Sequence, residues 1–291
     1  MSKGYTIGRV ILTVLLSFFI AGYIFSSAAH AMVSLPAIYT DIIEDEKLAE
    51  KAYDAIDSDF ANLYNTTAVP KEVYMDAIDV QWLEENMCKS IERDIDLLNG
   101  ADELLEIDFT ALEESVTSFF HEYAESIDYT PDKAFDEKLS ETITNAENII
   151  KGRMDAFYMN TLRENGYFSK LANIVPYFGI LNWGMFFCAL ILMIILIILE
   201  RNRGFRRLYW VGTGLFCGSA LAAIPVIYVL CTGMIDSFSV KDPITYTAIT
   251  DLLQNGAWRV LFKTIFLGVI GIACVVLNVV FDGKEREKSS S

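Results

Sequence analysis

Residues 180–199 read ILNWGMFFCALILMIILIIL, twenty consecutive positions without a charged side chain. A helix needs roughly 20 apolar residues to cross about 30 Å of hydrocarbon, so this stretch predicts a membrane span. Working outward from it, three more runs qualify: Val10 to about Ala29, Leu208 to Met234, and about Val260 to Phe281. Hydrocarbon cannot satisfy backbone N–H and C=O groups, so each run is expected to be helical, with a kink at Pro225 in the third.

The chain between the first two runs is a different material. Residues 33–175 hold 32 acidic and 11 basic side chains, net −21, although the whole 291-residue chain carries only −16 and is 53% hydrophobic. The predicted division is therefore 1–32 (N-terminus and first span), 33–175 (acidic block), 176–200 (second span), 201–207 (basic turn), 208–234 (third span), 235–259 (loop with a short amphipathic helix), 260–281 (fourth span) and 282–291 (tail).

Short flanks rich in Lys and Arg stay cytoplasmic. Lys3, Arg9, Arg201, Arg203, Arg206, Arg207, Lys284, Arg286 and Lys288 fall on one side of a four-span chain, and Arg163, Lys170, Lys241, Arg259 and Lys263 on the other. That bias places both termini inside a cell membrane and the acidic block outside. Trp183, Tyr177, Phe178, Tyr209, Trp210 and Trp258 sit where interfacial aromatics are expected. Ala29-His30-Ala31 fits a signal-peptidase site, and cleavage there would leave three spans and a start at Met32. The apolar run Val10–Phe25 is longer than the roughly 7–15 residues of a signal peptide, which favours a retained anchor.

Inside the acidic block, apolar residues recur three and four apart, the period of helix. Ile42, Ala49, Tyr53, Ile56, Phe60 and Leu63 form one stripe; Val73, Ala77, Val80, Met87, Ile91, Ile95 and Leu98 a second, stopped by Asn99-Gly100. Phe109, Leu112, Val116, Phe119 and Tyr123 make a third. Thr130-Pro131 opens a fourth through Phe135, Leu139, Ile143, Ala146, Ile150, Phe157 and Leu162. The expected fold is all-α: an integral membrane protein with four transmembrane helices and an extracytoplasmic helical bundle inserted between the first and second. In outline this layout resembles the periplasmic sensor modules of bacterial chemoreceptors, without their cytoplasmic signalling domain and without any shared motif.

Catalytic signatures are missing from the sequence. The two histidines, His30 and His121, stand in neither HExxH nor Glu-x-x-His spacing. No Asp or Glu lies in the interior of a predicted span, which disfavours intramembrane aspartyl chemistry. Asp94, Asp96, Asn99, Asp102 and Glu103 gather around Gly100, yet a calcium loop starting at Asp94 would need an oxygen ligand at Leu98 and a glycine at Asn99. Neither a cofactor nor a metal is expected, and the acid reads as solvated helix surface. Cys88, the block's one cysteine, reads as an interior residue rather than a reactive thiol.

Small residues in the spans point to packing. Gly214, Gly218 and Ala222 form one face of the third span, and Gly268 and Gly271 offer counterparts on the fourth, so these two spans are expected to approach closely, or the chain to self-associate. Asp242-Pro243 should open the amphipathic helix, and Asn255-Gly256 should close it. Arg259 and Lys263 follow, four apart on one helical face, as candidates for docking or lipid contact. The expected function is a non-enzymatic membrane component whose acidic bundle binds a partner or ligand, as a subunit of a complex with another membrane or envelope protein or as a homo-oligomer; an oligomeric channel or transporter component is the alternative. The lipid bilayer is a further expected partner, and the negative charge argues against nucleic acid.

Overall fold

The computed structural model describes residues 3–101, 107–200 and 206–290, with side chains described for 6–101, 107–200 and 208–281. Asp102, Glu103, Arg201 and Arg203 lie outside the described residues, and so do the side chains of Lys3, Arg206, Arg207, Lys284, Arg286 and Lys288. Among the described residues the chain is all-helical, with no strand. In order the helices are α1 (Lys3–Ser34), α2 (Ala37–Asp45), α3 (Leu48–Thr67), α4 (Lys71–Met75), α5 (Val80–Leu98), α6 (Thr110–Ser126), α7 (Lys133–Met154), α8 (Met159–Glu164), α9 (Tyr167–Leu199), α10 (Arg206–Thr232) and α11 (Pro243–Ser290). A 3-10 turn, Ile235–Ser237, follows α10.

Four helices are long and apolar enough to cross a membrane: Thr6–Ser34, Tyr167–Leu199, Leu208–Thr232 and Pro243–Phe281. This is the pattern of a multi-pass membrane protein. The residues divide into two compact units: Met1–Ser34, Asn173–Phe238 and Leu253–Ser291 form one, Leu35–Ala172 and Ser239–Leu252 the other.

In the membrane unit, Leu16, Ile20, Ile24 and Ala28 recur every fourth residue of α1 and are buried, together with Val211, Leu215, Ala222 and Val226 of α10. Phe18 of α1, Ile180 of α9, Ile224 of α10 and Phe262 and Val269 of α11 are all more than half exposed. Among the polar contacts between helices, the Ser17 hydroxyl donates to the Gly214 carbonyl at 3.1 Å and that of Ser26 to Asn182 Oδ1 at 3.5 Å. Arg9, expected as one of the exposed flanking bases, is instead buried and pairs with Glu200, Nε to Oε1 2.8 Å. The two residues are far apart in sequence, so charge counting near a span end could not separate a paired arginine from one facing headgroups.

The bundle unit encloses a core of Ile38, Ile43, Leu48, Ile56, Phe60, Tyr74, Leu83, Met87, Ile95, Leu112, Val116 and Ile150. Phe60 of α3 stacks on Tyr74 of α4 with centroids 4.3 Å apart. The four expected stripes become seven helices. Lys47 takes a left-handed conformation, φ 51°, and divides the first stripe into α2 and α3; Asp79 caps α5 by accepting from the Trp82 amide at 2.7 Å and divides the second. The fourth stripe starts two residues later than Thr130-Pro131 suggested, because Asp132 is the cap, accepting from the Phe135 amide at 3.0 Å; it ends at Met154, so Phe157 and Leu162 lie beyond it. Arg153, near the end of α7, grips both carboxylate oxygens of Asp59 at 2.7 and 3.0 Å and one of Asp242 at 3.0 Å. The second Asp242 oxygen accepts from the Thr245 amide at 2.8 Å, so this aspartate caps α11 as its Asp-Pro sequence predicts.

One expected boundary is absent. Asn255-Gly256 does not close a short helix, because α11 runs through it without a break. A methyl group added at Gly256 would come within 2.6 Å of the Met32 sulfur. The glycine permits close approach of α1 and α11 rather than a turn.

Candidate functional site

The hairpin of α6 and α7 changes character along its length. At its base Leu112, Val116, Ala146 and Ile150 are buried. Toward its tip the same helical periodicity continues in aromatic residues, but Ala124 is the only buried position between Thr117 and Glu141. Asp128, with φ 54°, makes the left-handed step of the connecting turn, a conformation that aspartate tolerates better than most residues.

At the tip the rings pack on one another. Phe120 meets Phe135 edge-on with centroids 5.9 Å apart, Tyr129 lies 6.3 Å from Phe135, and the His121 ring 5.4 Å from it. Phe119 stacks with Tyr123 at 6.3 Å. Phe120, Tyr123, Ile127, Tyr129 and Phe135, with the Lys138 stem, line a groove of about 320 Å3. Tyr123, Ile127 and Tyr129 remain 59%, 54% and 43% exposed. Contiguous exposed apolar surface of this kind on a water-facing domain marks an interaction site more often than scattered single residues do. The Tyr129 hydroxyl donates to Asp132 at 2.9 Å, fixing the ring at the groove's edge.

The hairpin segment that carries the groove is acidic in sequence. Residues 119–141 contain seven carboxylates and two lysines. Lys133 already pairs with Glu137 at 3.2 Å and Lys138 with Glu141 at 2.9 Å. Glu122, Glu125, Asp128 and Asp136 are exposed and have no ion-pair partner among the described residues. The Phe135 amide, followed by the Tyr129 hydroxyl, holds Asp132 below the usual carboxylate range.

No family model, curated protein or solved structure matches this chain. What it can do is written in its own side chains alone.

A second concavity in the bundle, about 900 Å3, is lined among others by Arg93, Asp94, Phe109, Lys151, Asp155 and Arg163. Several of its charges are engaged internally. Arg163 donates to Asp94; Lys151 pairs with Glu147 at 2.7 Å and lies 4.8 Å over the Phe109 ring. Asp155 accepts from the Asn160 and Thr161 amides at 3.2 Å each. Burial pushes Asp94 above the usual carboxylate range against the opposing pull of Arg163, and does the same to Asp155. These groups brace α5, α7 and α8, whereas at the hairpin tip Tyr123, Ile127 and Tyr129 remain largely exposed. The Asp94 carboxylate of the acidic cluster around Gly100 is thus committed to an arginine, and among the described residues no group of three metal-ligating side chains occurs. Burial pushes the Cys88 thiol up to about 11, which keeps it protonated and a poor nucleophile at neutral pH.

The small residues of the spans lie in the membrane unit, and their partners differ from expectation. A methyl group at Gly218 would lie 2.7 Å from the Ser17 carbonyl oxygen, and one at Gly214 2.6 Å from a Leu16 methyl, so this pair seats α1 rather than the fourth span. Ala222 is fully buried in the same cluster. The expected contact between third and fourth spans is made by Gly271 with Gly212: a methyl at Gly212 would meet the Gly271 carbonyl oxygen at 2.6 Å. Gly268 faces Ser219 at an ordinary 3.6 Å. Arg259 and Lys263 share a separate cavity on α11.

Proposed function

We propose that this chain is a non-enzymatic, multi-pass component of a membrane complex, with both termini cytoplasmic and the acidic bundle outside, and that the α6–α7 hairpin tip docks a partner protein presenting a basic, apolar surface. The observation that carries this reading is the uncovered aromatic groove of Phe120, Tyr123, Ile127, Tyr129 and Phe135 on a hairpin whose sequence is rich in carboxylates. Aromatic residues with an apolar body supply large contact area at low conformational cost, and the surrounding charge steers association and selects against acidic partners. A helix carrying Leu or Met on one face and Lys or Arg on its flanks has the shape and charge that the groove lacks.

Site-specific photo-crosslinking from position 127 in native membranes tests it. An adduct with a basic partner that weakens at high salt, and that is absent when the crosslinker is placed at the exposed Gln81, supports the reading. Adducts of twice the chain's mass would replace the partner with a second copy, and crosslinks to lipid alone would remove it.

A further inference from the structure

Arg259 and Lys263 lie one turn apart near the start of the membrane-spanning part of α11. They share a cavity of about 450 Å3 with Ala28 and Ala31 of α1 and with Trp258 and Phe262. Long basic side chains at span ends ordinarily extend to headgroups with few protein contacts. These two do not. Both are half-buried, and each is held by a protein oxygen: Asn255 Oδ1 accepts from Arg259 Nε at 2.7 Å, and the Ser27 hydroxyl of α1 accepts from Lys263 Nζ. Holding the guanidinium through Nε leaves its two terminal nitrogens for another acceptor. Neither cation has a carboxylate within ion-pair distance among the described residues.

Two oriented cations with no protein anion, in a cavity, need a counter-charge from elsewhere. The rest of the lining says what it belongs to. Ala28 and Ala31 leave the space open on the α1 side, and Trp258 and Phe262, 59% and 77% exposed, present rings at the mouth, as residues at a membrane–water boundary do. The volume far exceeds that of one bare anion. A forked guanidinium and a point-charge ammonium are the ordinary protein ligands of phosphate.

We propose that Arg259 and Lys263 form a binding site for phosphate carried on an anionic lipid headgroup, with Trp258 and Phe262 flanking the upper part of the lipid. The site belongs to the membrane unit alone and is independent of the hairpin tip.

The test uses the full chain purified in mild detergent, with thermal unfolding followed against added dihexanoyl phosphatidylglycerol, dihexanoyl phosphatidylcholine and inorganic phosphate. The anionic lipid should raise the midpoint at concentrations about tenfold below those needed of the zwitterionic one. The double variant R259Q/K263Q should lose at least about tenfold in apparent affinity for it, and K263R should keep most of it. Should the double variant fail to give a monodisperse protein, R259Q and K263Q read singly carry the same comparison. An equal response to inorganic phosphate at matched concentration would keep the phosphate chemistry and move its source to solution. Equal stabilisation of wild type and variants by the anionic lipid, or no preference between the two lipids, would overturn the site.

Discussion

The two units expose apolar surface in opposite ways. In the membrane unit Phe18, Ile180, Ile224, Phe262 and Val269 are exposed on helices long and apolar enough to cross a bilayer, and a bilayer would account for every one of them. In the bundle unit Leu35, Tyr64, Tyr158 and Tyr167 are exposed as scattered single residues, whereas Tyr123, Ile127 and Tyr129 collect at one hairpin tip. A solvated acidic domain has no generic solvent for such a patch. The contrast teaches that exposure carries information about function only where the surroundings do not already explain it.

That contrast can be broken from either side, and the largest effects should lie in the packed parts. Gly218→Leu would drive a side chain into the Ser17 carbonyl and Ile20, and a backbone oxygen cannot turn aside. Overpacking ordinarily costs about 1–3 kcal/mol, and here the loss should exceed that range; the expected readout is aggregation or loss of a monodisperse peak in size-exclusion chromatography. Normal behaviour of that variant would mean α1 and α10 do not pack as described. Next, Ile150→Ala at the buried base of the hairpin should destabilise the protein by about 2–5 kcal/mol, measured as a lower denaturant midpoint. Tyr123→Ser at the tip should change the same midpoint by no more than about 0.5 kcal/mol. A tip substitution as damaging as a base substitution would show that the rings serve the fold and not an interaction.

A smaller effect should follow pH. Burial raises Asp94 above the ordinary carboxylate range, so its folded-state pKa is higher than its unfolded one. The associated stability is present below the unfolded value and is lost as pH rises through the folded one. Asp94→Asn cannot titrate, so it should cost less at pH 7.5 than at pH 4, as read from thermal midpoints of both proteins across that interval. A difference that is flat with pH, or larger at pH 7.5, would place Asp94 in a more solvated setting than described.

Much of this was legible in the sequence, and the failures have physical causes. Four long apolar runs announced four membrane-grade helices, because hydrocarbon leaves the backbone no alternative. The helical stripes announced the bundle, but not its breaks, since an apolar period of three and four continues unchanged across the kinks at Lys47 and Asp79. Asn255-Gly256 reads as a stop because a helix-ending glycine and a close-packing glycine are the same letter; only Met32, far away in sequence, distinguishes them. For the same reason Gly214 and Gly218 read as facing the fourth span when they face α1. The Arg9–Glu200 and Arg153–Asp59–Asp242 contacts join distant segments and left no local signal. At the hairpin tip, Phe119 and Tyr123 continued the core stripe of Leu112 and Val116 in the sequence, and the structure leaves Tyr123 mostly exposed. Periodicity reports an apolar face but cannot say whether the chain itself covers it.

The most direct test of the central claim is a binding titration on the full chain in nanodiscs of neutral lipid, with empty nanodiscs as the blank. The probes are a synthetic amphipathic helix built from Leu and Lys and its counterpart built from Leu and Glu. The hairpin tip should bind the lysine helix in preference to the glutamate one, and weaken as salt is raised. Binding should fall at least about tenfold in the double variant Tyr123→Glu, Ile127→Glu. Equal binding of the two helices, or of the lysine helix to wild type and variant, would contradict it.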